Sequence, residues 1–293
     1  MRIATWNVNS LGARLERVVG WLDRARPDVL LMQETKLPDD GMPIDAFAKA
    51  GYEVVHHGQG RWNGVAIASK VGITDVVRAF GDPIVPLADG ADADDESIDV
   101  LREARMIAAT CGGVRVASLY VPNGRTLTSP FYEAKLGWLA RLRRWLDESC
   151  DAGQPLIVGG DYNIAPADVD VWDPAAVHGG THVSARERQA LSNLLAWGLS
   201  DAYRALRPEP QRYSWYDYRA GMFHKNQGMR IDLLLVSASV ASRVKWAEID
   251  REARKGKPTP SDHAPVIIDL DAPGHPLDAG WEAAAERIKK RVK

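Results

Sequence analysis

The chain has 293 residues, 45% of them apolar, and 37 Lys and Arg against 39 Asp and Glu give a formal net charge of −2. That length and apolar content suffice for a sizeable core. The near-neutral balance excludes a polybasic nucleic-acid binder, so any DNA is held by a local basic patch.

The two cysteines, Cys111 and Cys150, show no metal spacing and fit a reducing compartment. The opening MRIATWNVNS lacks the charged and apolar regions of a secretory signal. No run reaches the roughly 18 apolar residues of a membrane span. A cytoplasmic protein without membrane contact is the expectation.

Short apolar runs alternate with amphipathic helical patterns. Residues 2–7 read as a strand, and residues 15–24, with Leu15, Val18, Val19 and Leu22, as a helix. Residues 28–33 form a buried strand that stops at Glu34. A short helix over 44–50 and strands over 52–56 and 64–69 follow. The acidic run 89–99 reads as a solvated loop away from any phosphate-binding groove. Residues 114–121 are a strand ending in the turn Pro122-Asn123-Gly124. A helix over 131–150 has Leu136, Leu139, Leu142 and Leu146 on one side. Residues 155–160 are a buried strand running into Asp161, and 186–197 a helix. Strands over 230–236 and 265–270 close the pattern. No Gly-, Ser- or Pro-rich linker divides the chain, so one α/β domain is expected over 1–270, with a tail or short helix over 271–293. The strand count and the hairpins favour two sheets flanked by helices.

The informative pattern is repetition: apolar strands stop at carboxylates, amides or His. Asn7, Asn9, Glu34, Asp161, Asn163 and the pair Asp262-His263 all sit at such ends. A single carboxylate there is ordinarily a cap or turn residue. Asp232, between Ile231 and Leu233-Leu234-Leu235, differs, because burying it unpaired is costly. His263 is its natural partner, and the pair would fix the imidazole tautomer and raise its basicity. Such oxygen-rich groups suit Mg²⁺ or Mn²⁺. Glu34 and Asp262, with Asn7 close by, would hold the ion, and a hard-ion site points to phosphate chemistry.

The motifs TWNVNS, LMQETK, SLYVPNG, GGDYNIAP, YSWYDYR, GMRIDLLL and PSDHAPV, in this order from Met1 to Leu270, resemble the exonuclease III family of abasic-site endonucleases, within the endonuclease/exonuclease/phosphatase superfamily. The resemblance implies a four-layered α/β/β/α sandwich of two mixed sheets. It implies a DNA repair nuclease that cuts 5′ to abasic sites in double-stranded DNA, trims DNA 3′→5′ and cleans blocked 3′ ends, working as a monomer and nucleoid-associated when on DNA. It implies that Asp161 activates the attacking water with Asn163, that His263, oriented by Asp232, stabilises the transition state, and that Tyr120 contacts the phosphate. In an alternative arrangement Asp161, Asn163 and His263 hold a second ion. Lys36, Arg105 and Asn123 would contact DNA, and Trp215 and Met229 would line a pocket for the extruded sugar. Arg212, Lys225 and Arg230 are further phosphate candidates, each more readily a plain surface charge, whereas Tyr216 and Tyr218 read as core. Two other readings are a phosphodiesterase for lipid or inositol phosphates and a non-catalytic DNA-binding protein on the same fold.

Overall fold

Val29, Leu30, Leu31 and Met32 are all fully buried, which for consecutive strand residues means a strand covered on both faces. The same run shows how the layers form. Val29 and Leu31 join Ile3 and Ile67 in a core with Ile157 and Leu234 of a second sheet. Leu30 and Met32 join Ala4 and Trp6 in a separate core facing helix Leu11–Ala25. A third core packs Val158, Leu233 and Leu235 against Trp138, Leu142 and Leu194 of two helices on the far side.

This computed structural model describes residues 1–82, 100–209 and 212–277. The acidic run 89–99 and the expected C-terminal helix beyond 277 lie outside the described residues. In chain order the strands are β1 (Arg2–Asn7), β2 (Val29–Gln33), β3 (Glu53–His57), β4 (Val65–Ser69), β5 (Thr74–Arg78), β6 (Met106–Cys111), β7 (Val114–Tyr120), β8 (Leu156–Asp161), β9 (Leu199–Asp201), β10 (Asp232–Ser237), β11 (Val244–Ile249) and β12 (Val266–Leu270). One six-stranded sheet has the order β11-β12-β1-β2-β4-β3, the other β5-β6-β7-β8-β10-β9. Both are mixed: β1–β2 and β7–β8 are parallel and their other neighbours antiparallel. Helix α1 (Leu11–Ala25) covers the first sheet, and α3 (Pro130–Ser149) and α4 (Ala185–Ala196) cover the second; the short α2 (Ile44–Lys49) precedes β3. The fold is the expected α/β/β/α sandwich. Among the described residues no helix is long and apolar enough to cross a membrane.

Helix α1 starts a turn earlier than the apolar spacing marks, because buried Leu11 belongs to its inner face. Its Val18, Trp21 and Leu22 are buried, each worth roughly 1.5–3 kcal/mol by area removed from water. Helix α3 is started by Ser129, whose hydroxyl accepts from Phe131 N–H, with Pro130 at the first position. Helix α4 carries a capping box between Ser184 and Glu187. The strands that patterning did not mark are β5, β6, β9 and β11. Of these, β5, β9 and β11 are edge strands, where polar residues are tolerated and alternation is weak.

Candidate active site

Both sheets point the same ends at one place. In the first, β1 ends at Asn7, β2 leads into Glu34, and β12 is preceded by Asp262 and His263. In the second, Tyr120, Asp161 and Asp232 form one row: Tyr120 pairs with Asp161 across the parallel β7–β8 ladder, and Asp161 with Asp232 across the antiparallel β8–β10 ladder. Glycine before Asp161 makes that row close. A Cβ on Gly160 would come within 2.0 Å of the Leu119 carbonyl oxygen, so no larger residue fits there.

Asn7 joins the two halves. Its side-chain amide donates one hydrogen to Glu34 Oε1 (2.8 Å) and the other to Asp161 Oδ2 (2.9 Å), a residue of the opposite sheet. Glu34 Oε2 lies 2.9 Å from Lys36 Nζ, which also donates to Asn9 Oδ1 at 2.7 Å. Asn9 Nδ2 in turn donates to Asp262 Oδ1 (2.9 Å), and Trp215 Nε1 to Asp262 Oδ2 (3.1 Å). His263 Nδ1 lies 2.8 Å from Asp232 Oδ2, and its Nε2 lies 3.8 Å from Asp161 Oδ2. Asn163 receives Asn123 Nδ2 on its side-chain oxygen (3.2 Å) and gives its own amide hydrogen to Val121 O (3.0 Å). Ser261 fixes the segment before β12 by donating to Asn7 O (2.7 Å) and accepting from His263 N–H (3.1 Å).

Among the described residues, one group of acidic and imidazole side chains brings its ligand atoms within 4.8 Å of one another: Glu34, Asp161 and His263. Asp262 lies outside that group, bound to Asn9 and Trp215. Burial, partly offset by His263 and reinforced by Asp232, lifts the Asp161 carboxyl to about 7. Burial works against charge on His263 as well, but Asp232 and Asp161 outweigh it and raise the imidazole to about 10. Burial would raise Asp262 too, yet His263 and the bonds from Asn9 and Trp215 hold it below the usual carboxylate range. Tyr120, hydrogen-bonded to Glu34, is held well above its ordinary value by burial and by that carboxylate. Four carboxylates, Glu34, Asp161, Asp232 and Asp262, meet one imidazolium and the Lys36 ammonium, and with Asp232 Oδ1 buried and without a hydrogen-bond partner the cluster is short of positive charge. A cation resolves this, and the oxygen-rich donor set fits a hard divalent one.

Around this centre, the Trp215 backbone pairs in two isolated bridges, one with Met229 and one with His263. With Ala165, Val171 and Ile231, Trp215 and Met229 form a small apolar cluster beside the carboxylates. Lys36 sits at the rim, Asn123 is exposed, and Lys225 is exposed away from the strand ends. Arg105 is engaged within the fold: its guanidinium pairs with Glu103 and stands 4.6 Å from the Tyr120 ring centroid. Arg230 is not a surface charge. It is fully buried between Asp170 (2.7 Å) and Asp201 (2.7 Å), so it offers no group to a phosphate. Tyr216 is core, but Tyr218 is 47% exposed and donates to Pro260 O (2.7 Å), because the chain turns outward after Tyr216. Asn9 and Ser261 brace Asp262 and the Asn7 carbonyl, contacts that strand-end reasoning left out.

Residues 4–263 match the model of the endonuclease/exonuclease/phosphatase family. The chain is 31% identical over 277 residues to exodeoxyribonuclease III of Haemophilus influenzae, covering 91% of this chain and 98% of that one. Among solved structures, a 3′ phosphatase from Neisseria bound to a product DNA hairpin superposes with TM-score 0.82 at 40% identity, over 93% of this chain and all of that one. An AP endonuclease from Archaeoglobus fulgidus superposes with TM-score 0.82 at 34% identity, over the same shares of the two chains.

Proposed function

Because the chain belongs to the endonuclease/exonuclease/phosphatase family, and within it to the exonuclease III group of abasic-site endonucleases, we propose that it is a DNA repair nuclease that hydrolyses the phosphodiester 5′ to an abasic site and processes 3′ ends. The observation that carries this reading is the convergence of Glu34, Asp161 and His263 from two sheets, with Trp215 and Met229 beside them. Carboxylates and a charged imidazole converging on one point suit attack on a phosphate ester.

Glu34 and Asp262, with Asn7 beside them, would hold Mg²⁺, for which Mn²⁺ can substitute; the alternative adds a second ion on Asp161, Asn163 and His263. When bound, the ion supplies charge neutralisation on the non-bridging and leaving oxygens. Asp161, lifted towards neutrality by burial, accepts a proton from the attacking water or orients it, and Asn163 positions that water. His263, kept charged by Asp232, donates from Nε2 to a phosphate oxygen and stabilises the charge that develops there. Tyr120, hydrogen-bonded to Glu34, contacts the phosphate. Lys36 and Asn123 meet the backbone of the duplex, and Arg105 reaches it only through Tyr120, on which it stacks. Trp215 and Met229 receive the extruded sugar, whose missing base lowers the cost of flipping.

The test is incision of a duplex carrying a tetrahydrofuran abasic analogue, in Mg²⁺, with and without EDTA. Cleavage 5′ to the analogue that EDTA abolishes is the expected result. No incision, with phosphate released instead from a small phospholipid headgroup, overturns the reading. The 40% identity to a 3′ phosphatase favours a second reading, in which 3′-end processing is the main activity. A 3′-phosphate duplex assayed beside the abasic one separates the two.

A further inference from the structure

One buried charge has no part in the chemistry above. Lys135 on α3 is fully buried, and so is its partner Glu187 on α4. An ammonium has three hydrogens to donate, and each of Lys135's has an acceptor: Glu187 Oε1, the Asn163 carbonyl at 2.7 Å and the Asn123 carbonyl at 3.3 Å. Glu187 also accepts from the backbone N–H of His182 (2.9 Å) and of Ser184 (3.1 Å), from the Thr181 hydroxyl (2.9 Å) and from the Ser184 hydroxyl. His182 Nδ1 lies 2.6 Å from the same Asn163 carbonyl. The ion pair thus ties together the loop after β7, the loop after β8 and the segment leading into α4.

A tie between two helices needs no such arrangement. An apolar pair of similar volume is often as stable as a buried ion pair or more so. What an apolar pair cannot do is donate to two main-chain carbonyls at once. Those carbonyls belong to the two asparagines whose side chains meet at 3.2 Å in the active site. Asn163 N–H in turn donates to Asp161 Oδ1 at 2.9 Å, so a shift of the Asn163 backbone passes to the Asp161 carboxylate.

We propose that Lys135, together with Glu187, is a positioning residue for hydrolysis at this site: it fixes the main chain at Asn123 and Asn163, and through Asn163 the Asp161 carboxylate. The inference rests on the DNA-hydrolase reading. Neither residue touches DNA or the reacting atoms, so their loss acts on turnover and leaves substrate binding nearly intact.

The test uses the full chain in Mg²⁺ on the abasic duplex and on a 3′-phosphate duplex. The first variant, Lys135→Met with Glu187→Gln, removes both charges together and keeps the shape and the cap of α4. The second, Lys135→Met alone, removes the ammonium and leaves Glu187 held by its donors from Thr181, His182 and Ser184, and carries the test if the first does not fold. The expected result is a melting temperature close to that of the unmodified chain, KM within about twofold, and kcat lower by about 10- to 100-fold, the scale of a displaced catalytic group. Crossed with Asn163→Ala, the folded variant should add little further loss, because both changes act through one element. Turnover within about twofold of the unmodified chain, or full additivity with Asn163→Ala, overturns the proposal. An unmodified chain that cuts neither duplex refutes the DNA reading instead, so the two failures are distinguishable.

Discussion

His263 and Asp232 come from different sheets and meet at 2.8 Å, Nδ1 to Oδ2, inside the protein. The contact orients Nε2 towards Asp161 and keeps the ring charged far above the ordinary histidine range, to about 10. His263→Ala should therefore lower kcat by about 10²- to 10⁴-fold. Asp232→Asn should move the alkaline limb of the kcat profile to lower pH, since the ring loses its proton earlier without that carboxylate. A pH–rate profile in saturating Mg²⁺ checks both, and an alkaline limb unmoved in Asp232→Asn refutes the assignment.

Asp161→Asn keeps the shape of the β8 end and the bond from Asn163 N–H but removes the base. Turnover should fall by about 10²- to 10⁴-fold, while the affinity for an abasic duplex stays within a few-fold. Single-turnover rates and fluorescence anisotropy, measured on the same preparation, separate the two effects. A variant with near-normal turnover has no place in the mechanism.

Chelation should abolish cleavage, and Mg²⁺ or Mn²⁺ should restore it. Because a divalent cation beside Glu34 favours the ionised form of the neighbouring Asp161 carboxyl, its affinity should fall as pH drops below about 7, where Asp161 takes up its proton. Raising Mg²⁺ from micromolar to millimolar should consequently shift the acid limb of the activity profile to lower pH. Melting temperature should rise with Mg²⁺, by mass action on the folded state.

The Trp215 side chain has two duties, packing on the apolar cluster that holds Met229 and donating to Asp262. Trp215→Phe retains the apolar wall and loses the donor, whereas Trp215→Ala loses both. On abasic duplex kcat/KM should fall modestly for Phe and by about 10- to 100-fold for Ala, roughly 1.4–2.7 kcal/mol of transition-state stabilisation. Equal losses in the two variants would leave the pocket without a role.

Stability has its own pH signature. His56 is buried against Thr35, 2.8 Å from its hydroxyl, and burial lowers its pKa to about 4 despite nearby Asp39. The folded state therefore favours neutral His56, while the unfolded chain takes up a proton near 6.5. The stability this group contributes is present above 6.5 and is lost as pH falls towards 4, up to about 3 kcal/mol. Chemical denaturation at pH 7.5 and pH 5 should show a steeper loss for the unmodified chain than for His56→Gln. Parallel losses would mean that His56 does not titrate in this range.

The candidate site was legible because most of its members sit where an apolar strand stops, and such a stop shows in the text of the chain. Asp232 was the most legible of all, since a carboxylate inside ILLL-like text demands a partner. Burial of charges away from strand ends was not legible. Arg230 and Asp170 are 60 residues apart, and Lys135 and Glu187 are 52 apart. Nothing local distinguishes such an Arg or Lys from one on the surface. The outward turn of Tyr218 was hidden for a related reason: an aromatic run does not say where the chain leaves the core. Edge strand β11 carries Lys245 and Glu248 among apolar residues, and so its text resembles a loop.

Asn7 takes hold of one carboxylate from its own sheet and one from the other, so the reacting groups exist as a set only when both sheets are in place. A newly made chain with one sheet formed carries half a site and no ability to cut. For a DNA repair nuclease, completed folding is then a precondition of cutting.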